Sequence, residues 1–208
     1  MKLTFIFILL TSLAFGQKKG VVFYNEAEEE ISQAEFAATK NYRENLDIYL
    51  ENDSTIIALL IAREKFGYLD KSSFNDLKSY LTNISGKEID SAQYIVINYL
   101  TPLPKKADTK KSWSTWNVLD RDYPWELRKI ANINQFWVHS PECDNLEFYR
   151  PKRINWIADK ENVFKKLFFP YDIIHGNFLL IKPDGKFYYY LGEHSKYEIW
   201  DKARKYFR

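Results

Sequence analysis

Between Phe178 and Leu191 the chain spells a β-hairpin in residue types. The apolar run Phe178-Leu179-Leu180-Ile181 stops at Pro183-Asp184-Gly185, and an apolar-aromatic run from Lys186 to Leu191 follows. Proline fixes one φ, Asp-Gly tolerates the positive φ that reversal needs, and short apolar segments bounded by such residues read as paired strands. His175-Gly176, just before the first of them, reads as the bend that leads in.

Upstream, Gln93 to Leu100 reads as a buried strand. Tyr94-Ile95-Val96-Ile97 is a continuous apolar run, expected where a parallel sheet is covered on both faces. A loop follows from Thr101 to Ser112, and Trp113 to Ile133 has the length and spacing of a crossover helix, with Pro124 breaking or kinking it or sitting in a first turn. Asn134 to His139 is the next strand. After a long aromatic connection from Ser140 to Ile157, Asp159 can cap a helix from Lys160 to Phe169, which Pro170 ends. Past the hairpin, Ser195-Lys196-Tyr197-Glu198 is a capping box for a last helix. The order is strand, helix, strand, helix, strand, strand, helix, an α/β pattern filling 90–208.

Residues 17–89 read as a small α+β amino-terminal portion. Val21 to Tyr24 is a short strand, and Ser32-Gln33-Ala34-Glu35 caps a helix running to about Asn41. Leu46 to Leu50 and Thr55 to Arg63 flank the turn residues Glu51 to Ser54 as a hairpin, although Ile56 to Ala62 also fits a buried helix. Ser72 or Ser73 opens a further helix that ends near Gly86.

Residues 1–16 read as a signal peptide: Lys2, an apolar stretch to Leu13, then Ala14-Phe15-Gly16 before Gln17. The stretch is too short for a permanent anchor and no later run is long enough to span a bilayer, so a periplasmic or secreted protein without a transmembrane segment is expected. The chain carries 30 Lys and Arg against 28 Asp and Glu, and cleavage removes only Lys2 of these. Near neutrality, with Lys105, Lys106, Lys110 and Lys111 as the densest basic cluster, argues against a nucleic-acid partner.

The stretch from Asn155 to Trp200, with the strand order before it, resembles the thioredoxin-like fold, and most closely the exported envelope thiol-disulfide oxidoreductases. That resemblance implies a parallel strand pair continued by an antiparallel hairpin, with helices on both faces. It also implies a CxxC pair after the first strand and a cis-proline before the hairpin. Here those places read Thr101-Pro102-Leu103-Pro104 and His175-Gly176-Asn177, and Cys143 is the single cysteine of the chain. The family's dithiol chemistry therefore does not carry over.

What remains points to binding. The groove between the first-strand loop and the pre-hairpin bend holds extended peptide in redox members, which makes Thr101, Pro102, Leu103, Pro104, Trp113, Trp116, His175, Gly176 and Asn177 candidates for a partner-binding face. Trp113, Trp116, Tyr123 and Trp125 are each either core or anchor. The expected role is a non-redox, degenerate thioredoxin-like protein that binds a protein partner in the cell envelope, with an inhibitor or immunity protein as one concrete form. The alternative is a single-thiol redox enzyme or sensor using Cys143, with His139 assisting. The histidines His139, His175 and His194 lack metal-ligand spacing, and neither a metal nor a cofactor is expected. His194, beside Glu193, is expected to cap the last helix.

Overall fold

The computed structural model describes residues 19–102, 114–174 and 176–208. The signal peptide, the basic cluster from Lys105 to Lys111, and the candidates Leu103, Pro104, Trp113 and His175 lie outside the described residues. The chain divides into two compact units, the first ending at Ile61 and the second starting at Ala62.

The first unit holds β1 (Gly20–Tyr24), β2 (Glu30–Ile31), α1 (Gln33–Thr39), β3 (Asn45–Glu51) and β4 (Thr55–Ala62), in the sheet order β2-β1-β4-β3. The Ser32 hydroxyl accepts from the Glu35 amide at 3.1 Å and the Glu35 carboxylate accepts from the Ser32 amide at 3.0 Å, which satisfies two donors that would otherwise be orphaned. That start aims Phe36 at the sheet, where it packs with Ala58 and Leu60. Ile56 to Ala62 is a strand and not a helix, because its backbone pairs with β1 in the register Val22↔Ile57.

The second unit holds β5 (Glu64–Tyr68), α2 (Lys71–Ser85), β6 (Tyr94–Leu100), α3 (Asp122–Ile130), β7 (Ile133–His139), β8 (Trp156–Ala158), α4 (Val163–Leu167), β9 (Asn177–Ile181), β10 (Lys186–Leu191) and α5 (Lys196–Tyr206). Its sheet order is β5-β10-β9-β6-β7-β8. β6, β7 and β8 are parallel, whereas β9 is antiparallel to β6, and β10 to β9. Both faces are covered. Val96, Phe178, Leu180, Tyr188 and Tyr190 pack with Tyr123 and Leu127 of α3 and Ile199, Trp200 and Ala203 of α5. On the other face Tyr99 meets Phe164 of α4 at 6.2 Å, and Tyr80 of α2 meets the same ring at 6.2 Å. Each such fully buried side chain contributes roughly 1.5–3 kcal/mol by leaving water.

Several details depart from the sequence expectation. The second unit takes in β5 and α2, which the sequence assigned to 17–89, because β5 pairs with β10. Asp70 opens α2 ahead of the serines, its carboxylate accepting from the Ser72 and Ser73 amides at 2.9 and 3.0 Å. The crossover helix shrinks to α3, with a single 3-10 turn at Asn117–Leu119 before it. Pro124 sits in the first turn of α3, where its missing N–H costs nothing. β8 is an additional strand inside the long connection. The hairpin closes with the Gly185 amide bonded to the Lys182 carbonyl at 3.0 Å and Gly185 at φ +88°.

Asp159 is fully buried and lies four residues ahead of α4. Its carboxylate accepts from the Val163, Phe164 and Lys165 amides at 2.8, 3.0 and 3.3 Å and from the Tyr80 and Tyr99 hydroxyls at 2.7 and 3.3 Å. A buried charge with five donors is well satisfied, so this residue organises the α2–α4 face and leaves no acceptor to spare for chemistry. Burial, with Asp159 alongside, raises both phenols above their ordinary value.

Candidate functional site

The carboxyl end of β6 is where the two expected site segments meet. Thr101, the first residue past the strand, is buried, and its hydroxyl donates to the Ile173 carbonyl at 2.5 Å. That bond ties the end of β6 to the segment that leads into β9. Gly176 follows at φ +79°, where a Cβ would lie 3.0 Å from Cη2 of Trp116 and 3.1 Å from the Tyr99 carbonyl oxygen. Only glycine meets both demands without strain. Asn177 then starts β9 opposite both Tyr99 and Leu191.

Polar contacts lock this corner together. The Asn177 Oδ1 accepts from the Gly192 amide at 3.0 Å, and Trp116 Nε1 donates to the His194 carbonyl at 2.9 Å. Trp116 also stands edge-on to the His194 ring at 5.1 Å between centroids. His194 is 4% exposed, and its Nδ1 lies 2.8 Å from the Gly192 carbonyl, which can only accept, so Nδ1 carries the proton. His194 Nε2 and Asn177 Nδ2 are buried with no hydrogen-bond partner among the described residues. Burial lowers the imidazole from 6.5 to about 4, against the pull of the Gly192 bond, and Arg63 adds to the lowering. His194 thus does not cap α5; Ser195 does, accepting from the Glu198 amide at 3.3 Å.

Of the nine expected face residues the structure describes five. Trp116, Gly176 and Asn177 come together, and Thr101 is bonded to the same approach segment. Thr101, Gly176 and Asn177 are turned inward, which corrects the expectation that they line a surface: they shape it from beneath. The outward positions are the half-buried Pro102 and Trp116, and Ile174, which is 43% exposed. Ile174, Gly192 and His194 belong to the same corner and are not among the face residues expected from sequence. The only local hints were an apolar residue beside the bend and a glycine between a strand and a capping box. Among the other aromatics, Tyr123 is buried with its hydroxyl 2.9 Å from the Asn98 Oδ1, whereas Trp125 is exposed.

The turn from Asn117 to Asp122, which follows Trp116 directly, is pinned by charge. Lys196, at the start of α5, donates to Asp122 at 2.7 Å and to Asp120 at 3.1 Å, and Arg150 donates to the Ser114 carbonyl at 3.0 Å. Burial works to lower the Lys196 ammonium; the hydrogen bonds it donates to Asp122 and Asp120 overcome that and hold the group above its ordinary value.

Cys143 is half-buried, with Sγ 3.6 Å from the Leu100 carbonyl, so the lone thiol lies at the end of β6 and not remote from it. Burial pushes it up to about 12, opposed by a Ser140 backbone bond and helped by Asp172, Asp144 and Glu142. The Nδ1 of His139 is bonded to the Ser140 carbonyl at 2.8 Å and is not directed at the thiol. Among the described residues no cluster of three or more His, Cys, Asp or Glu could hold a metal, and no helix is long and apolar enough to cross a membrane. A cavity of about 290 Å³ between α3 and α5, lined by Glu126, Lys129, Ile130, Arg204, Phe207 and Arg208, lies at the opposite end of β6, where the Tyr94 and Phe207 rings meet tilted at 4.3 Å between centroids.

No family model matches the sequence, and no curated protein matches it. Among solved structures, the chain is similar to a secreted Mycobacterium tuberculosis disulfide oxidoreductase homologous to E. coli DsbE, at 11% identity and a TM-score of 0.34, with 55% of this chain covered against 82% of that one. A likeness that loose says nothing of activity, and the strand order is the firmer observation.

Proposed function

We propose that the second unit is a thioredoxin-like domain without a dithiol, exported after cleavage near Gly16, that holds a protein partner at the carboxyl edge of β6. Its sheet supports the fold: in the order β10-β9-β6-β7 a parallel pair continues into an antiparallel hairpin, with helices on both faces. The observation that carries the binding reading is the corner itself. Gly176 lies directly under Trp116, Thr101 is bonded to the segment behind it, and Pro102, Trp116 and Ile174 present apolar surface there. Rigid aromatic and aliphatic side chains on a braced backbone are what interfaces use as anchors. The concrete form, an inhibitor or immunity protein of the cell envelope, is a matter of which partner is captured.

Capture of partner from the cell envelope by the tagged mature chain tests this. Pro102→Asp and Ile174→Asp should each reduce capture by about tenfold or more, as expected when an anchor worth roughly 1–3 kcal/mol is lost. Undiminished capture by both variants, folded normally, would place any interface elsewhere. The position of Cys143 at the end of β6 favours a second reading, a single-thiol enzyme. A thiol pushed up to about 12 is a poor nucleophile, and rapid alkylation below neutral pH is the result that reading requires.

A further inference from the structure

His194 is a buried group beside Trp116 whose charge can change in mild acid. Its ring is enclosed by Trp116 at 5.1 Å, Phe178 at 4.9 Å and Tyr190 at 6.2 Å between centroids. With Nδ1–H given to the Gly192 carbonyl, a second proton has only Nε2 to go to, and that atom is buried without an acceptor among the described residues. A cation created there loses its hydration and gains no hydrogen bond.

Among the described residues no counter-charge is in contact with it. Arg63, whose guanidinium lies 5.0 Å over the Tyr190 ring and donates to the Glu193 carbonyl at 3.3 Å, opposes protonation. Glu64, Glu193 and Glu198 act on Tyr190, whose phenol is raised chiefly by burial. Glu198 is committed to the Ser195 amide at 2.8 Å, and Lys196 to Asp120 and Asp122. Among the described residues of β9 and the Trp116 segment, the ring meets Phe178 and Trp116, neither of them charged.

We propose that His194 makes the Trp116 edge acid-labile: protonation at Nε2 expels the imidazole from its aromatic enclosure and releases the Trp116 indole from the His194 carbonyl. The edge opens as a result. Since the indole N–H has the His194 carbonyl as its partner and the ring covers Gly176, movement of residue 194 is transmitted directly to the surface at β6. The consequence for a partner rests on the binding reading above, but the opening itself is a property of this chain alone.

The test is a pH titration of the mature protein from 7 to 3.5 with two nuclear resonances followed together. The imidazole Cε1 proton of His194 is assigned by elimination with His139→Gln and His175→Gln, and the fluorine signal of 5-fluorotryptophan at position 116 is assigned with Trp116→Phe. His194 should titrate far below 6.5, near about 4, and the Trp116 signal should move with the same midpoint while far-UV circular dichroism is unchanged. His194→Gln should abolish the Trp116 transition. A His194 midpoint near 6.5, a Trp116 signal flat across the His194 titration, or loss of secondary structure at the same midpoint each overturns the proposal, and the wild-type resonances decide even if the glutamine variant fails to fold. Failure to capture a partner at any pH, with both resonances moving as expected, refutes the binding reading and leaves the acid-labile edge standing.

Discussion

Gly176→Ala separates the two demands placed on that residue. The first is backbone: at φ +79° an alanine is strained by roughly 1–2 kcal/mol. The second is space. The new Cβ would lie 3.0 Å from Trp116 Cη2 and 3.1 Å from the Tyr99 carbonyl oxygen, and Tyr99 is held in β6 between two paired strands, so the indole must give way. Crowding of this kind costs roughly 1–3 kcal/mol. Gly86 supplies the control, because it has φ +66° with nothing within 4 Å of a Cβ there. Urea unfolding at constant m should therefore show Gly86→Ala losing about 1–2 kcal/mol and Gly176→Ala about 2–5 kcal/mol. Combined with Trp116→Ala, the Gly176→Ala loss should shrink by about 1 kcal/mol, since the indole is no longer there to displace. Equal losses at the two glycines, or strict additivity with Trp116→Ala, would show that Trp116 does not seat on Gly176.

Three further outcomes follow from named contacts. Because the His194 pKa is about 4 folded against 6.5 unfolded, the unfolded chain binds the proton more readily; stability is complete above 6.5 and falls as pH drops toward 4, by about 3 kcal/mol at 1.36 kcal/mol per pH unit, and His194→Gln should flatten that limb of the curve. Tyr123→Phe leaves Asn98, fully buried and 2.9 Å from the lost hydroxyl, without a partner, so thermal or urea unfolding should register about 1–3 kcal/mol; a loss under 0.5 kcal/mol would mean that water replaces the phenol. Cys143, raised from 9.0 to about 12, holds about 10³-fold less thiolate than an ordinary thiol; after the gain in nucleophilicity with pKa, alkylation near neutral pH should run about 30-fold slower than that of a model peptide, and parity with the peptide would contradict the burial described.

Local chemistry made much of the fold legible. The capping boxes at Ser32 and Ser195, the Pro183-Asp184-Gly185 reversal and the apolar run Tyr94-Ile95-Val96-Ile97 that opens β6 each state their structure within a few residues, because caps and turns satisfy neighbouring amides and a strand covered on both faces is mostly apolar. Pairings across long separations left no such mark. β5 joins β10 in the register Phe66↔Tyr188, more than a hundred residues apart, which is why the sequence placed β5 and α2 in the amino-terminal portion. Asp70 outcompetes the serines after it because its carboxylate reaches two amides where a hydroxyl reaches one.

The candidate site was legible as segments and not as contacts. The two loops could be named from the strand order, but the inward turn of Thr101 and Asn177 depends on Ile173 and Gly192, and the seat of Trp116 depends on Gly176 and His194. Cys143 reaches the end of β6 because the Ser140 amide bonds to the Leu100 carbonyl at 2.8 Å, a contact between adjacent strand ends that residue spacing does not encode.

Site-specific photo-crosslinking in the native cell envelope tests whether a partner sits at the carboxyl edge of β6. A photoreactive residue at Ile174 lies at the proposed face, whereas one at Tyr68, 62% exposed and paired with Lys186, lies at the opposite end of the sheet from Asn177, roughly 17 Å along β10. A partner held at that edge should give a discrete protein adduct from Ile174 and none from Tyr68. An adduct formed at Tyr68 but not at Ile174 would contradict that placement.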